Sequence, residues 1–468
     1  MNVLTLAAEW TKISVGLSDA EVPAEFADPA WREHPLFRRL AQGYAAWADA
    51  LEQTTNGGRS AQMTNIVTGA LSPANFLATN PAAIRRAIDT GGLSVVRGAR
   101  NLTRDVVTNG GLPSMVDSRP FTVGENVACS RGAVVYREEL FELLQYSPTT
   151  ETVHERPLLF VPPQINRYYI MDLAPGRSLV EFAVAQGVQA FMLVWRNPRR
   201  ELPNWGLDDY VQATVRAFDV VREITGSEDL NALGFCAGGM ISALAQTRAP
   251  VHASTYLVTM LDARLPNGVT ACTPSPAGAI VDAQTVAQHF AWLRPKDLVY
   301  GNLQRGWLMG DAPSAFDLLA WNADGANLTG AFARESLALL DSPIDLSAVT
   351  ADAFIVAAET DHITTWRPCY MTSELLGGES EMVLINKGHI QAVVSPVANS
   401  RHTYWAGRAN GPDPDAWRDQ APRHEGSWWL RWADWLAPRS GERVAAPQAL
   451  GSPAHPVLEP APGRYVKE

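Results

Sequence analysis

Three side chains in this sequence have the types and the order of a nucleophilic centre: Cys236, Asp361 and His389. Cys236 sits in GFCAGGM (234–240), with strand-like NAL just before it and an apolar, helix-compatible ISALAQ just after. The G-x-C-x-G frame predicts a sharp strand-to-helix turn, tight enough to need small residues at Gly234 and Gly238. Such a turn lifts the sulfur to a helix N-terminus, where the backbone dipole favours a thiolate. The N–H of Ala237 would then face the oxygen of an attacked carbonyl. A lone G-x-C-x-G is equally compatible with a packed structural thiol. Two further placements favour chemistry. AFIVAAE (353–359) runs into TDHITTW and offers Asp361, and EMVLINK (381–387) runs into GHIQ and offers His389. Each follows an apolar run at the carboxyl end, where ligands gather in open α/β sheets. An imidazole oriented by a carboxylate can take the thiol's proton.

A second donor to an oxyanion is expected from the loop after PLLFVPP (157–163), which reads PPQINRYYIMDL (162–173). The N–H of Gln164 or of Ile165 is the candidate. His362, beside the acid, either orients it, touches substrate or is an ordinary hydrogen-bonded histidine. No histidine shows metal-ligand spacing, and neither a phosphate-cradling P-loop nor a G-x-G-x-x-G opening a helix is present.

Positioning these groups requires a particular framework. PLLFVPP, QAFMLVW (189–195), DLNALGF (229–235), STYLVTML (254–261), AFIVAAE and EMVLINK are continuous rather than alternating apolar runs. They predict strands buried on both faces, hence a mostly parallel sheet covered by helices through right-handed crossovers. The chain order nucleophile, acid, histidine is that of the α/β-hydrolase fold. Residues 1–115 look mainly helical, with LFRRLAQGYAAWADAL (36–51) and NPAAIRRAIDTGGLSVVRGARNL (80–102) spacing apolar residues at helical intervals. Residues 116–437 form the expected catalytic domain, with a cap inserted at about 262–350, longer than a crossover needs. The Pro-rich stretch 438–468 cannot build its own core and is expected to lie extended. Arg85, Arg86, Arg97, Arg100 and Arg104 form either an anion site or, more simply, a solvated helix face. Trp428, Trp429, Trp432 and Trp435 suit a helix packed on a core better than a path for a ligand.

Composition bounds the partners. The chain has 468 residues and a formal charge of −11, which disfavours general nucleic-acid binding. Four cysteines, Cys129, Cys236, Cys272 and Cys369, form neither a C-x-x-C pair nor a disulfide scaffold. MNVLTLAAEWTKISVG lacks a basic n-region, and FAVAQGVQAFMLVW (182–195) is too short and interrupted to span a bilayer. A reduced, cytoplasmic protein without a transmembrane segment is the expectation.

A thiolate exchanges readily with a thioester at little energetic cost, whereas serine would make a more stable oxoester. Cysteine at the elbow therefore suggests acyl transfer from a thioester, although cysteine hydrolases of the same fold are possible. DPAWREHPLFRRLAQGY (28–44), SPANFLATNP (72–81), RPLLFVPPQINRYYIMDL (156–173), VWRNP (194–198), GFCAGG (234–239), LRPKDLVY (293–300), DHITTW (361–366), GHIQ (388–391), EGSWW (425–429) and EPAPGRYVK (459–467) together resemble the polyhydroxyalkanoate synthases, from about residue 27 onward. The wording leans toward their single-subunit type. The resemblance implies Cys236 as the acylated nucleophile, His389 as its base and Asp361 as the support of His389 and activator of the incoming hydroxyl. It implies (R)-3-hydroxyacyl-CoA as substrate, CoA as product, no further cofactor, a polyester granule surface and a homodimer. A thioesterase, a polyester depolymerase or a non-catalytic granule protein are the alternatives. The chain departs from the pattern in a shorter N-terminal region and a short connection from NLTGAFARESLALL into DSPIDL.

Overall fold

The computed structural model describes residues 3–54, 58–261, 280–332, 345–398 and 401–468. Cys272 and most of the short connection before DSPIDL lie outside the described residues. Two compact units result, one of Met1–Ser118 with Ala287–Leu319, the other of Arg119–Val286 with Ala320–Glu468.

The first unit is helical: α1 (Val3–Val15), α2 (Ala30–Glu33), α3 (Pro35–Glu52), α4 (Gly58–Ala70), α5 (Pro81–Asp89) and α6 (Leu93–Thr108). The stretch 80–102, helical in its spacing, is broken at Thr90-Gly91-Gly92, where both glycines take positive φ and end α5 in a left-handed turn. Phe26, Trp31, Ala41, Tyr44, Ala48 and Ala74 make a small core. Residues 287–319, part of the expected cap, are fastened to the N-terminal helices. A Cβ on Gly98 would meet the Trp307 carbonyl oxygen at 1.9 Å, so backbone touches backbone there. Trp307 Nε1 donates to Asp105 Oδ2 at 2.8 Å. Arg85, Arg86 and Arg104 pair with Asp28, Asp311 and Asp105, as a solvated charged face requires.

The second unit is built on one large sheet. In chain order it contains β1 (Gly132–Arg137), β2 (Phe141–Tyr146), β3 (Thr152–His154), β4 (Leu158–Val161), α7 (Leu179–Ala185), β5 (Ala190–Trp195), α8 (Leu207–Thr225), β6 (Asn231–Phe235), α9 (Ala237–Gln246) and β7 (Ala253–Leu257). Then follow β8 (Ile280–Val281), β9 (Leu328–Thr329), β10 (Asp352–Ala358), β11 (Ser380–Ile385), β12 (Thr403–Arg408), β13 (Arg423–Glu425), β14 (Arg443–Ala445) and β15 (Glu459–Pro460). The main sheet runs β13-β12-β11-β10-β7-β6-β4-β5-β2-β1-β15, with β3–β14 and β8–β9 as separate pairs. Its centre, β11-β10-β7-β6-β4-β5, is parallel throughout, and both flanks are antiparallel. Each of the six continuous apolar runs is one of these parallel strands, nearly every residue buried. Placing β4 between β5 and β6 gives the α/β-hydrolase strand order.

The tryptophan helix, Trp428–Leu436, packs on this sheet: Trp428 and Trp432 are fully buried, and Trp432 Nε1 donates to Thr255 Oγ1 at 3.0 Å. These rings are core. The Pro-rich tail is extended, and its end is held tightly. β15 pairs with β1, and Tyr465 and Val466 are buried.

Candidate active site

β6 delivers Cys236 through a turn that few residues tolerate. Cys236 has φ +52°, in the region L-residues avoid, and its N–H donates to the Leu257 carbonyl at 2.9 Å. The following helix α9 crosses very close to the strand. A Cβ on Gly234 would lie 2.3 Å from the Gly239 Cα, and one on Gly238 would lie 2.2 Å from the Val161 carbonyl oxygen. These two glycines let the elbow close and seat the start of α9 against the end of β4.

Asp361 follows β10 and His389 follows β11, two neighbouring parallel strands. Both side chains are buried, and His389 Nδ1–H donates to Asp361 Oδ2 at 2.6 Å. A carboxylate only accepts, so this bond fixes the proton on Nδ1 and leaves Nε2 for the thiol. The Cys236 sulfur is near enough to the imidazole to bear on its ionisation. Burial alone would lower the His389 pKa, but the Asp361 charge and Cys236 outweigh it and push the imidazole up to about 10. Burial likewise works to raise Asp361, yet the His389 charge and hydrogen bonds hold it below the usual carboxylate range. Opposite charges at contact distance favour both charged forms.

The expected trio therefore meets at one edge of the sheet. Ala237, as the first residue of α9, has a helix N-terminal N–H, part of the positive end of the dipole. Gln164 and Ile165 are both buried in the loop after β4, whose Val161–Pro162 peptide abuts Gly238. That loop is pinned by Trp195 Nε1, which donates to the Pro162 carbonyl at 2.8 Å, and by the Ile165 carbonyl, which accepts from Ala326 N–H at 3.1 Å. His362 is exposed beside the acid. The side chain that reaches the carboxylate is Thr364, whose Oγ1 lies 2.9 Å from Asp361 Oδ2 and 3.1 Å from His389 Nδ1. Sequence reading passed over Thr364. The available signal was an aspartate followed at the second and third positions by backbone donors and at the third by a hydroxyl, a spacing that closes a local side-chain turn.

A sheet in this order, with an elbow residue, an acid and a histidine at three strand ends, defines the α/β-hydrolase class, here with a thiol at the elbow. Comparison with known proteins narrows the class. A family model described as "Poly-beta-hydroxybutyrate polymerase (PhaC) N-terminus" matches residues 23–183. The chain is 40% identical over 483 residues to poly(3-hydroxyalkanoate) polymerase 1 of Ectopseudomonas oleovorans, covering 95% of this chain and 86% of that one. It is 37% identical over 509 residues to the poly(3-hydroxyalkanoate) polymerase subunit PhaC of Cupriavidus necator, covering 98% and 86%. Among solved structures, "Est816 as an N-Acyl homoserine lactone degrading enzyme" is 19% identical with a TM-score of 0.34, covering 57% of this chain and 95% of that one. This chain belongs to the poly(3-hydroxyalkanoate) polymerase family.

Proposed function

We propose that this acyltransferase polymerises (R)-3-hydroxyacyl groups from CoA thioesters through an acyl intermediate on Cys236. The observation that carries the reading is the thiol on a strained elbow, near a buried imidazole whose far nitrogen is bonded to a carboxylate.

The cycle follows from the geometry. The thiol proton resides on His389 Nε2 in an imidazolium that Asp361 supports, and the paired thiolate attacks the thioester carbonyl. The resulting oxyanion faces the Ala237 N–H, with Gln164 or Ile165 supplying a second donor from the β4 loop. Collapse breaks the bond to CoA sulfur, which leaves with the proton from His389. A chain-end 3-hydroxyl then gives its proton to the His389–Asp361 pair and attacks the acyl-Cys236 carbonyl. Collapse forms the oxoester and releases the thiolate beside the imidazolium. Each round adds one ester and frees one CoA, and needs no further cofactor.

The family's substrate and product class, a hydroxyacyl-CoA and a polyester, supports polymerisation over hydrolysis. Among the described residues no helix is long and apolar enough to cross a membrane. Work at a polyester granule surface in the cytoplasm, as a homodimer, belongs to the same reading. Incubation with 3-hydroxybutyryl-CoA or 3-hydroxyoctanoyl-CoA tests it: CoA with insoluble polyester is expected, and CoA with free hydroxy acid identifies a hydrolase instead. Cys236→Ala should form no acyl-enzyme by mass spectrometry while keeping the fold, since alanine fits a turn built for small residues. Wild-type-like turnover in that variant removes Cys236 from the mechanism.

A further inference from the structure

Beyond the three groups of the cycle, one hydroxyl stands at their centre. Thr364 Oγ1 lies 2.9 Å from Asp361 Oδ2, 3.1 Å from His389 Nδ1 and 3.0 Å from the Val258 carbonyl oxygen. Its backbone N–H also donates to Asp361 Oδ1 at 3.0 Å, beside that of Ile363 at 2.8 Å. The residue is buried, so water does not replace these bonds when they are lost.

The Val258 carbonyl is an unusual anchor. Val258 has φ +44°, a conformation that a β-branched residue adopts only when its surroundings impose it. Its N–H bonds the Val356 carbonyl of β10 at 2.7 Å. The next residue, Thr259, sets its hydroxyl 3.3 Å from the Cys236 carbonyl oxygen and against Gly239. The strained turn after β7 therefore touches the elbow with one residue and the acid loop with the other.

We propose that Thr364 is a positioning residue for acyl transfer. Its hydroxyl locks the Asp361–His389 pair to the Val258–Thr259 turn and so holds the imidazole in line with Cys236. The hydroxyl's one proton has two acceptors, and the carboxylate, being charged, is the stronger. Loss of the hydroxyl removes a donor from ionised Asp361, which raises the pH at which that carboxylate protonates. It also frees the imidazole to turn about its bond to the acid. The proposal rests on the acyl-transfer reading above.

Thr364→Val and Thr364→Ser in the full chain, assayed for CoA release from 3-hydroxybutyryl-CoA across pH, test it. In Thr364→Val, kcat should fall about 10-fold with KM nearly unchanged, and the acid limb of the profile should move to higher pH, as expected for one lost buried hydrogen bond at the catalytic base. Thr364→Ser keeps the hydroxyl and should restore both. A Thr364→Val enzyme with wild-type kcat and acid limb overturns the proposal, and so does Thr364→Ser losing activity, since only the methyl is then missing. Should Thr364→Val fail to fold, Thr364→Ser decides alone. His389→Gln run alongside separates the two readings. If it releases CoA at the wild-type rate, the acyl-transfer assignment fails and takes the proposal with it. If it is slow while Thr364→Val is normal, the Thr364 proposal alone fails.

Discussion

Buried together at 2.6 Å, Asp361 and His389 titrate as a pair, and their shifts make stability depend on pH in a definite direction. His389 is pushed from an ordinary 6.5 up to about 10, so its contribution is full below about 6.5 and is lost as pH rises toward 10. Asp361 is lowered from 3.8, so its contribution is present above that value and is lost as pH falls through the lowered one. The melting-temperature gap between the wild type and His389→Gln should therefore be widest near pH 6 and close steadily toward about pH 10. A gap that widens over this range contradicts the ion pair. The same variant should slow acylation of Cys236 by roughly 100-fold or more, the usual worth of a positioned base, read as the initial burst of CoA. The three groups were legible because each follows an apolar run at a strand end. Thr364 was not, because its importance comes from Val258, a residue whose strain the sequence does not display.

At the scale of elements, the site depends on how closely α9 can approach β4. Gly238→Ala would drive a methyl to 2.2 Å from the Val161 carbonyl oxygen, and only backbone movement could relieve it. A loss of about 1–3 kcal/mol in urea denaturation is expected, with a larger loss of activity, since the elbow and the β4 loop part together. Unchanged turnover would mean that the loop contributes nothing to the oxyanion. The six parallel strands were readable because burial on both faces leaves unbroken apolar runs. The hairpin β1–β2 was not. FELLQY is wholly buried, yet carries Glu142 and Gln145, which interrupt any apolar run. β12 and the short edge strand β13 were missed for a related reason, as half-exposed strands that mix polar with apolar residues. The helical spacing over 80–102 resolves into two helices parted at the glycine pair, whose left-handed turn outweighs the apolar spacing on either side.

The whole second unit is closed by residues far apart in sequence. Glu142, fully buried, accepts from Arg137 Nε at 2.6 Å and from the backbone N–H groups of Arg464 and Tyr465 at 3.1 and 3.0 Å. Tyr465 donates its hydroxyl to the Glu138 carbonyl at 2.8 Å, and Arg196 pairs with Glu468 at 2.9 Å. A tail without a core of its own is thus held by a charge buried in β2. Glu142→Ala leaves Arg137 with Glu459 but strips the Arg464 and Tyr465 N–H groups of their acceptor; it should cost about 1–3 kcal/mol, the penalty for a buried donor left unpaired, and should expose 459–468 to proteases. Resistance equal to that of the wild type would show that β15 is held by its strand pairing alone.

Glu138 and Tyr465 stand 327 positions apart. While this chain emerges from the ribosome, β1 pairs at once with β2 but must wait for β15, its outer neighbour, through the synthesis of every other strand of the sheet. During that interval the outer edge of β1 stays unpaired, and Glu142 lacks the backbone donors of Arg464 and Tyr465. Assembly is therefore slow and open to capture by other nascent copies, which makes the yield of native protein sensitive to expression rate and to chaperone supply.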